Sequence, residues 1–313
     1  MSRRPDLFII GAPKSGTTSL YEYLAGHPEI FMSPRKEPFY FSPDVNRTHR
    51  SGFRFEVDEA RYLDLFAEAR DEKRLGEAST RYMFSPAAPG LIREFQPAAY
   101  IVTMLRNPVD MVYALHNELV SLGHEPIGEF DQAIAADADR RAGRRLPHGT
   151  GPLLAQYLPQ GRYGEQLRRW IKAFGRSRVH VIIFDDFVAD TPGEFSRLLR
   201  FLEVSPGYSP ASFAARNQSH RVRGPVRAAA RSRVGQWLRA SALTRAVGKN
   251  AAYRLASRIR QTRLYLRSNP RPPLATVLRR QLEEEFRPDV EELSQLIDRD
   301  LTALWFAPDR RAG

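Results

Sequence analysis

The sequence predicts an α/β fold with a central parallel β-sheet flanked by helices. Three observations carry this. Short apolar runs alternate with amphipathic helical patterns, and strands buried on both faces of a parallel sheet read as near-continuous apolar runs. The first such run passes through a glycine-containing loop straight into a helix. The chain has 313 residues, 42% hydrophobic and 27% charged, which is ample for one complete core and at most two domains.

The elements follow in order. Leu7-Phe8-Ile9-Ile10 is the first strand. After the loop from Gly11 to Gly16, residues 17–25 read as a helix, with Leu20 and Leu24 on one face and Gly26 at the stop position. Tyr100-Ile101-Val102-Thr103-Met104-Leu105 is a second buried strand. It runs into Arg106-Asn107-Pro108, and Pro108 suits the first turn of a helix carrying Val109, Val112, Tyr113 and His116. Tyr163, Leu167, Trp170, Ile171 and Phe174 recur at helical spacing over residues 161–175 and form a core stripe. Residues 179–184 are a third core strand, and residues 193–203 a further amphipathic helix. Stretches 143–152 and 268–273, rich in Gly, Pro and Arg, read as loops. The last forty residues hold two helical patterns either side of Pro288, ending at Trp305-Phe306. The expected organisation is a single domain over 1–313, with a basic helical or loop segment at about 204–282 and a C-terminal helical segment at about 273–306.

Composition excludes several chemistries. With no cysteine there are no disulfides, thiolate zinc sites, iron–sulfur clusters or cysteine nucleophiles. The seven histidines show no metal-ligand spacing, so no metal is expected. Four apolar residues before Gly11 are too few for a signal-peptide core. Runs such as residues 98–105 fall well short of the roughly 18 a membrane helix needs. The expected location is therefore cytoplasmic.

Charge is unevenly placed. The net charge is +12, yet residues 204–282 hold 17 Arg or Lys and no acid. A block of this kind can bind nucleic acid, an anionic membrane or an acidic ligand, or be a solvated arginine-rich surface. Only five of the 48 basic residues are lysine, so the arginines partly express a general preference for Arg. Aromatics are sparse in the block, which speaks against a nucleic-acid partner and leaves peripheral membrane contact open.

Gly11-Ala12-Pro13-Lys14-Ser15-Gly16-Thr17-Thr18 sits between a strand and a helix. In that context backbone N–H groups and a helix N-terminus cradle an oxyanion. Lys14 adds a point charge; Ser15, Thr17 and Thr18 add hydroxyls. The nucleoside-triphosphatase order G-x-x-x-x-G-K-[ST] is not met, because the lysine precedes the second glycine. No Ser or Thr follows a Gly-Lys pair to hold magnesium.

This loop resembles the 5′-phosphosulfate loop of sulfotransferases that use 3′-phosphoadenosine 5′-phosphosulfate (PAPS). Lys36-Glu37-Pro38-Phe39-Tyr40-Phe41 resembles the K-E-x-x-F-F segment of the carbohydrate and heparan-sulfate type. Gly76-Glu77-Ala78-Ser79-Thr80-Arg81-Tyr82 is similar to the G-E-x-[ST]-P-x-Y segment, and Leu105-Arg106-Asn107-Pro108-Val109-Asp110 to the 3′-phosphate motif. Asn217-Gln218-Ser219 with Arg221 and Arg223 is similar to a later basic segment that closes over the cofactor. Phe286-Arg287-Pro288-Asp289-Val290 with Leu293 and Trp305 recurs in bacterial members. The order is right and nearly the whole chain is covered. Two departures stand out: Ala114, where relatives often carry a serine that touches the 3′-phosphate, and Ala78, where animal glycan enzymes carry lysine.

The resemblance implies a P-loop-type three-layer fold and in-line sulfuryl transfer from PAPS, without metal, to a small-molecule or glycan hydroxyl or amine. It implies Lys14 as the group stabilising the leaving phosphate, with Ser15, Gly16, Thr17 and Thr18 completing the loop. Glu37 is implied as general base and Arg106 as the 3′-phosphate ligand, with Asn217, Arg221 and Arg223 adding to the donor site. Arg81, Tyr82 and His116 are candidate acceptor contacts. The plainer readings are an ion pair of Glu37 with Lys36 or Arg35, a turn at Asn217, solvated Arg221 and Arg223, and a core histidine at 116. Two other functions compete: a small-molecule kinase with a degenerate phosphate loop, and a nucleic-acid or anionic-membrane binding module built on the basic block. No motif bears on oligomeric state.

Overall fold

The computed structural model describes residues 3–45, 58–148, 150–213 and 273–306. Asn217, Arg221, Arg223 and most of the basic block lie outside the described residues. Five strands form one parallel sheet: β1 (Leu7–Gly11), β2 (Ile30–Met32), β3 (Arg74–Ala78), β4 (Tyr100–Leu105) and β5 (Val179–Ile183), in the order β2-β3-β1-β4-β5. The helices that matter for the site are α1 (Thr17–Ala25), α2 (Glu59–Asp64), α3 (Ala88–Phe95) and α4 (Pro108–Leu122). Four short ones follow at residues 130–161, α5 to α8. They precede α9 (Tyr163–Phe174), α10 (Phe184–Ala189), α11 (Thr191–Phe201), α12 (Thr276–Ile297) and α13 (Leu301–Trp305).

Side chains alternate across a strand, and here both alternating sets are apolar. Leu7, Ile9, Val102, Met104 and Ile182 face one layer, with Leu20 and Leu24 of α1 and Phe195, Leu198 and Leu199 of α11. Phe8, Ile10, Ile101, Leu105 and Ile183 face the other, with Val109 and Val112 of α4, Leu167 and Trp170 of α9, and Phe286 and Val290 of α12. That is the three-layer architecture expected from the sequence. The connection after β1 runs outward to β2, and the one after β3 crosses to β4 on the far side of β1. The C-terminal ends of β1, β3 and β4 therefore line a crevice at a topological switch, where open α/β sheets bind ligands.

Several elements differ from the sequence reading. β3 was expected only as a motif, because Gly76 and Glu77 lack strand propensity; pairing with β1 and β2 on both sides overrides it. β5 ends at Ile183, and Phe184 opens α10. Pro288 lies inside a single 22-residue helix rather than between two. A proline there forfeits one backbone hydrogen bond. Packing outweighs the loss: Phe286, Val290 and Leu293 are fully buried. The adjacent Asp289 carboxylate also accepts the N–H groups of Gly164 (2.9 Å) and Glu165 (3.1 Å) at the start of α9. Among the described residues no helix is long and apolar enough to cross a membrane.

Candidate active site

The loop after β1 is shaped by two left-handed residues, Lys14 (φ 57°) and Gly16 (φ 91°). Backbone of this kind turns successive N–H groups toward one concavity and suits an anion. A side chain at Gly16 would be strained at this φ, and its Cβ would press on the Phe184 ring at 3.2 Å. Ser15 is fully buried, its hydroxyl donating to Pro13 O at 3.2 Å. Thr17 is buried and Thr18 half-buried at the start of α1. Lys14 Nζ donates to Glu118 Oε1 of α4 at 2.9 Å, with the lysine side chain 15% exposed and the glutamate 44%.

The segment carrying Glu37 lies beside this loop. Glu37 (φ 61°) and Phe39 (φ 56°) are also left-handed, a conformation that costs a non-glycine residue about 1 kcal/mol and persists only where surroundings hold it. The surroundings here are the end of β3 and the turn after it. Glu37 N–H donates to Ala78 O (2.8 Å), Phe39 N–H to Ser79 Oγ (3.2 Å) and Phe41 N–H to the Tyr82 hydroxyl (3.2 Å). Those two hydroxyls can accept because their own protons point elsewhere: Ser79 Oγ donates to Glu77 Oε2 (2.6 Å) and Tyr82 to Glu77 Oε1 (2.8 Å). Tyr62 of α2 donates to Glu77 as well, at 3.0 Å. The Glu37 carboxylate receives the Thr80 hydroxyl at 3.0 Å. Lys36 Nζ points across to the phosphate loop and donates to Thr18 Oγ1 at 2.7 Å, not to Glu37.

Glu77 is fully buried. Burial pushes its carboxyl up from 4.5 to about 7, against the three hydroxyl hydrogen bonds that favour the ionised form. Folding thus favours the protonated form, so the stability this group contributes is full below 4.5 and lost as pH rises to about 7. Glu77→Gln should flatten part of the fall in Tm between roughly pH 5 and 8. Asp137, which burial raises to about 6, accounts for another part. A Tm–pH slope identical to wild type would place the titration elsewhere.

At the end of β4, Asn107 caps α4 by accepting Val109 N–H (3.0 Å) and ties the C-terminus in by donating to Trp305 O (2.9 Å). Half-buried Arg106 stands beside this cap, its guanidinium 5.2 Å from the centre of the Phe184 ring. Tyr163 is buried next to Arg106 and Ser15; burial raises its phenol, and the arginine's charge opposes that.

The crevice therefore brings together Lys14, Ser15, Gly16, Thr17, Thr18, Glu37, Arg81 and Arg106. Arg81 lies over the Phe39 ring at 4.8 Å. Burial lowers its guanidinium to about 10, opposed by the nearby Glu37 charge. Tyr82 and His116 differ from their expected role as acceptor contacts. Tyr82 is 0% exposed, and its hydroxyl is committed to Glu77 and Phe41. His116 is 2% exposed, packed against Phe130 and Tyr157, with Nε2 at 2.9 Å from Ile127 O. Burial lowers its pKa, as for the core histidine of the plainer reading. Sequence reasoning missed Phe184, Glu118, Tyr163 and Thr80, and gave Lys36 no role beyond pairing with Glu37. Only Lys36 and Thr80 carried a signal, as members of the motifs. Among the described residues no group of three or more His, Asp or Glu side chains is arranged to hold a metal.

A glycine-containing loop without the magnesium-holding hydroxyl order, set beside a carboxylate-bearing segment at the C-terminal edge of a parallel sheet, is the arrangement of a P-loop-type α/β fold. The profile of the family described as "Sulfotransferase domain" matches residues 4–216, and the chain belongs to that family. This sets aside the kinase and the non-enzymatic binding module. Human carbohydrate sulfotransferase 15 is 26% identical over 278 residues, covering 71% of this chain and 49% of the relative. Human bifunctional heparan sulfate N-deacetylase/N-sulfotransferase 3 is 28% identical over 214 residues, covering 66% of this chain and 23% of the relative. The chain thus spans about half and about a quarter of the length of these curated relatives. A crystal structure of a sulfotransferase from Alicyclobacillus acidocaldarius superposes with a TM-score of 0.72 at 29% identity, covering 97% of this chain and 99% of that one.

Proposed function

We propose that this sulfotransferase takes its sulfuryl group from PAPS and hands it to a hydroxyl, or an amine, of a glycan or another small-molecule acceptor. One observation carries the reading. Segments far apart in sequence meet in one crevice, with Lys36 on Thr18 and Glu37 on Thr80, so a base-bearing segment adjoins a phosphate loop. The left-handed loop backbone and the half-buried Arg106 fit a donor with two phosphate positions, one at each. The relatives' names supply the acceptor class. The C-terminal helices share the core of the matched region, which supports a single domain over 1–313. A cytoplasmic location remains the reading of the sequence and is tested by fractionation.

When bound, PAPS supplies a sulfuryl group already activated by its bond to phosphate. Lys14 and the loop N–H groups hold the 5′-phosphate and stabilise the charge that grows there. Glu37 takes the proton of the acceptor hydroxyl or amine, and the Thr80 hydrogen bond fixes its carboxylate. Arg106 holds the 3′-phosphate, with Phe184 supporting the guanidinium. Arg81, beside Glu37, is our proposed acceptor contact. An acceptor screen with labelled PAPS, scored by mass spectrometry, tests the activity; labelling of no glycan in a broad panel would move the acceptor to another class.

The donor site has its own test. PAP, the desulfated product, should bind wild type more tightly than AMP. Arg106→Ala should weaken PAP by roughly ten- to hundredfold, the worth of a charge-assisted contact, with AMP nearly unchanged. Calorimetry showing equal losses for both nucleotides would place the 3′-phosphate contact elsewhere.

A further inference from the structure

Lys36 is the cation in the crevice that the motif reading left without work. Its ammonium has three donors, and one is used, on Thr18 Oγ1 at 2.7 Å. The side chain is half-buried, and no carboxylate of the described residues forms an ion pair with it. Lys14, by contrast, rests on Glu118. A sheltered ammonium held by one neutral hydroxyl has lost water and gained little for it. Burial, with the charge of Lys14 adding to it, presses its pKa down; Glu37, Glu118 and Glu22 pull the other way. Such a cation is arranged for an anion.

Its position says which part of an anion. Lys14 belongs to the loop that, on the donor reading, holds the 5′-phosphate. Lys36 comes from the segment that presents Glu37, the side on which the acceptor must stand, and reaches back to the first turn of α1. The group lying between phosphate and acceptor is the one being transferred. Resting on the donor reading above, we propose that Lys36 is a catalytic residue that grips the oxygens of the transferring sulfuryl group, holding it between the phosphate loop and Glu37. The acceptor oxygen bonds to sulfur as the bond from sulfur to the phosphate oxygen breaks. The electron pair leaves on that phosphate oxygen, and the acceptor proton passes to Glu37. Lys36 stays protonated throughout, donating hydrogen bonds and exchanging no atoms.

The inference separates PAPS from PAP, which differ by that group alone. Affinities for both are measured by calorimetry without acceptor, on wild type and on Lys36→Met. The expected result is a PAPS affinity lowered roughly tenfold or more beyond any change for PAP, the worth of a charge-assisted hydrogen bond. Single-turnover transfer should fall with it. Equal loss for PAPS and PAP would make Lys36 a brace for Thr18 and overturn the proposal, as would no loss for either. If Lys36→Met does not fold, Lys36→Gln is read by the same ratio; collapse of both would assign the residue to the fold and also overturn it. Because no acceptor is present, a wrong acceptor class leaves the ratio untouched. Wild type binding neither nucleotide would defeat the donor reading, and Lys36 with it.

Discussion

Lys14→Ala should lower single-turnover sulfuryl transfer by roughly 10²–10³-fold, the usual consequence of losing one donor aimed at developing charge. The fold should survive. Lys14 is left-handed already, and alanine meets the same backbone penalty as lysine. The lost pair with Glu118 joins a largely sheltered lysine to a glutamate 44% exposed. Pairs with a solvated partner contribute at most about 1 kcal/mol. The variant should therefore melt within a few degrees of wild type, and calorimetry should show weaker binding of PAP and PAPS alike. Near-normal turnover by the folded variant would remove Lys14 from the mechanism.

Glu37→Gln should cost roughly 10²–10⁴ in the same rate, the worth of a positioned base. The change is narrow. Glutamine still offers an oxygen to the Thr80 hydroxyl, and its backbone still donates to Ala78. What disappears is the ability to take a proton. PAP affinity should hardly move. The competing view, that Glu37 serves as an ion-pair partner of Lys36 or Arg35, predicts lower Tm with intact turnover; for Lys36 it loses ground because Lys36 Nζ is bonded to Thr18. A folded variant keeping at least half the wild-type single-turnover rate would place the base elsewhere. The next carboxylate to test is then Glu118, which lies on Lys14; His116 is sealed in the core.

Much of the fold was legible because strands buried on both faces announce themselves. Leu7 to Ile10 and Tyr100 to Leu105 are apolar at every position but Thr103, whose hydroxyl finds Gly11 O at 3.1 Å. β3 was hidden because its sequence, Arg-Leu-Gly-Glu-Ala, carries an ionisable carboxyl inside the sheet. That carboxyl is legible only once Tyr62, Ser79 and Tyr82 are seen around it, and Tyr62 belongs to a helix the sequence did not reveal. The phosphate loop was legible because its chemistry is local: a strand, a turn and a helix start in eight residues. The acceptor side was less so. Tyr82 and His116 look polar and available in one dimension, and only packing shows where their polar atoms go. Pro288 misled for a related reason, since a local rule about helices yields to three buried side chains and a capping aspartate.

On the proposed donor site, the Lys14–Glu118 pair sets an entry threshold for the loop. An unmatched lysine in an anion cradle would gather whatever small anion the surroundings offered. Here any newcomer must displace a carboxylate already in place, and its net gain is the difference between the two contacts. A lone chloride or carboxylate gains almost nothing by that exchange. A ligand that engages the loop and Arg106 together recovers the cost at a second point. On that proposal, selectivity for a doubly anchored anion begins with a residue that need never touch it.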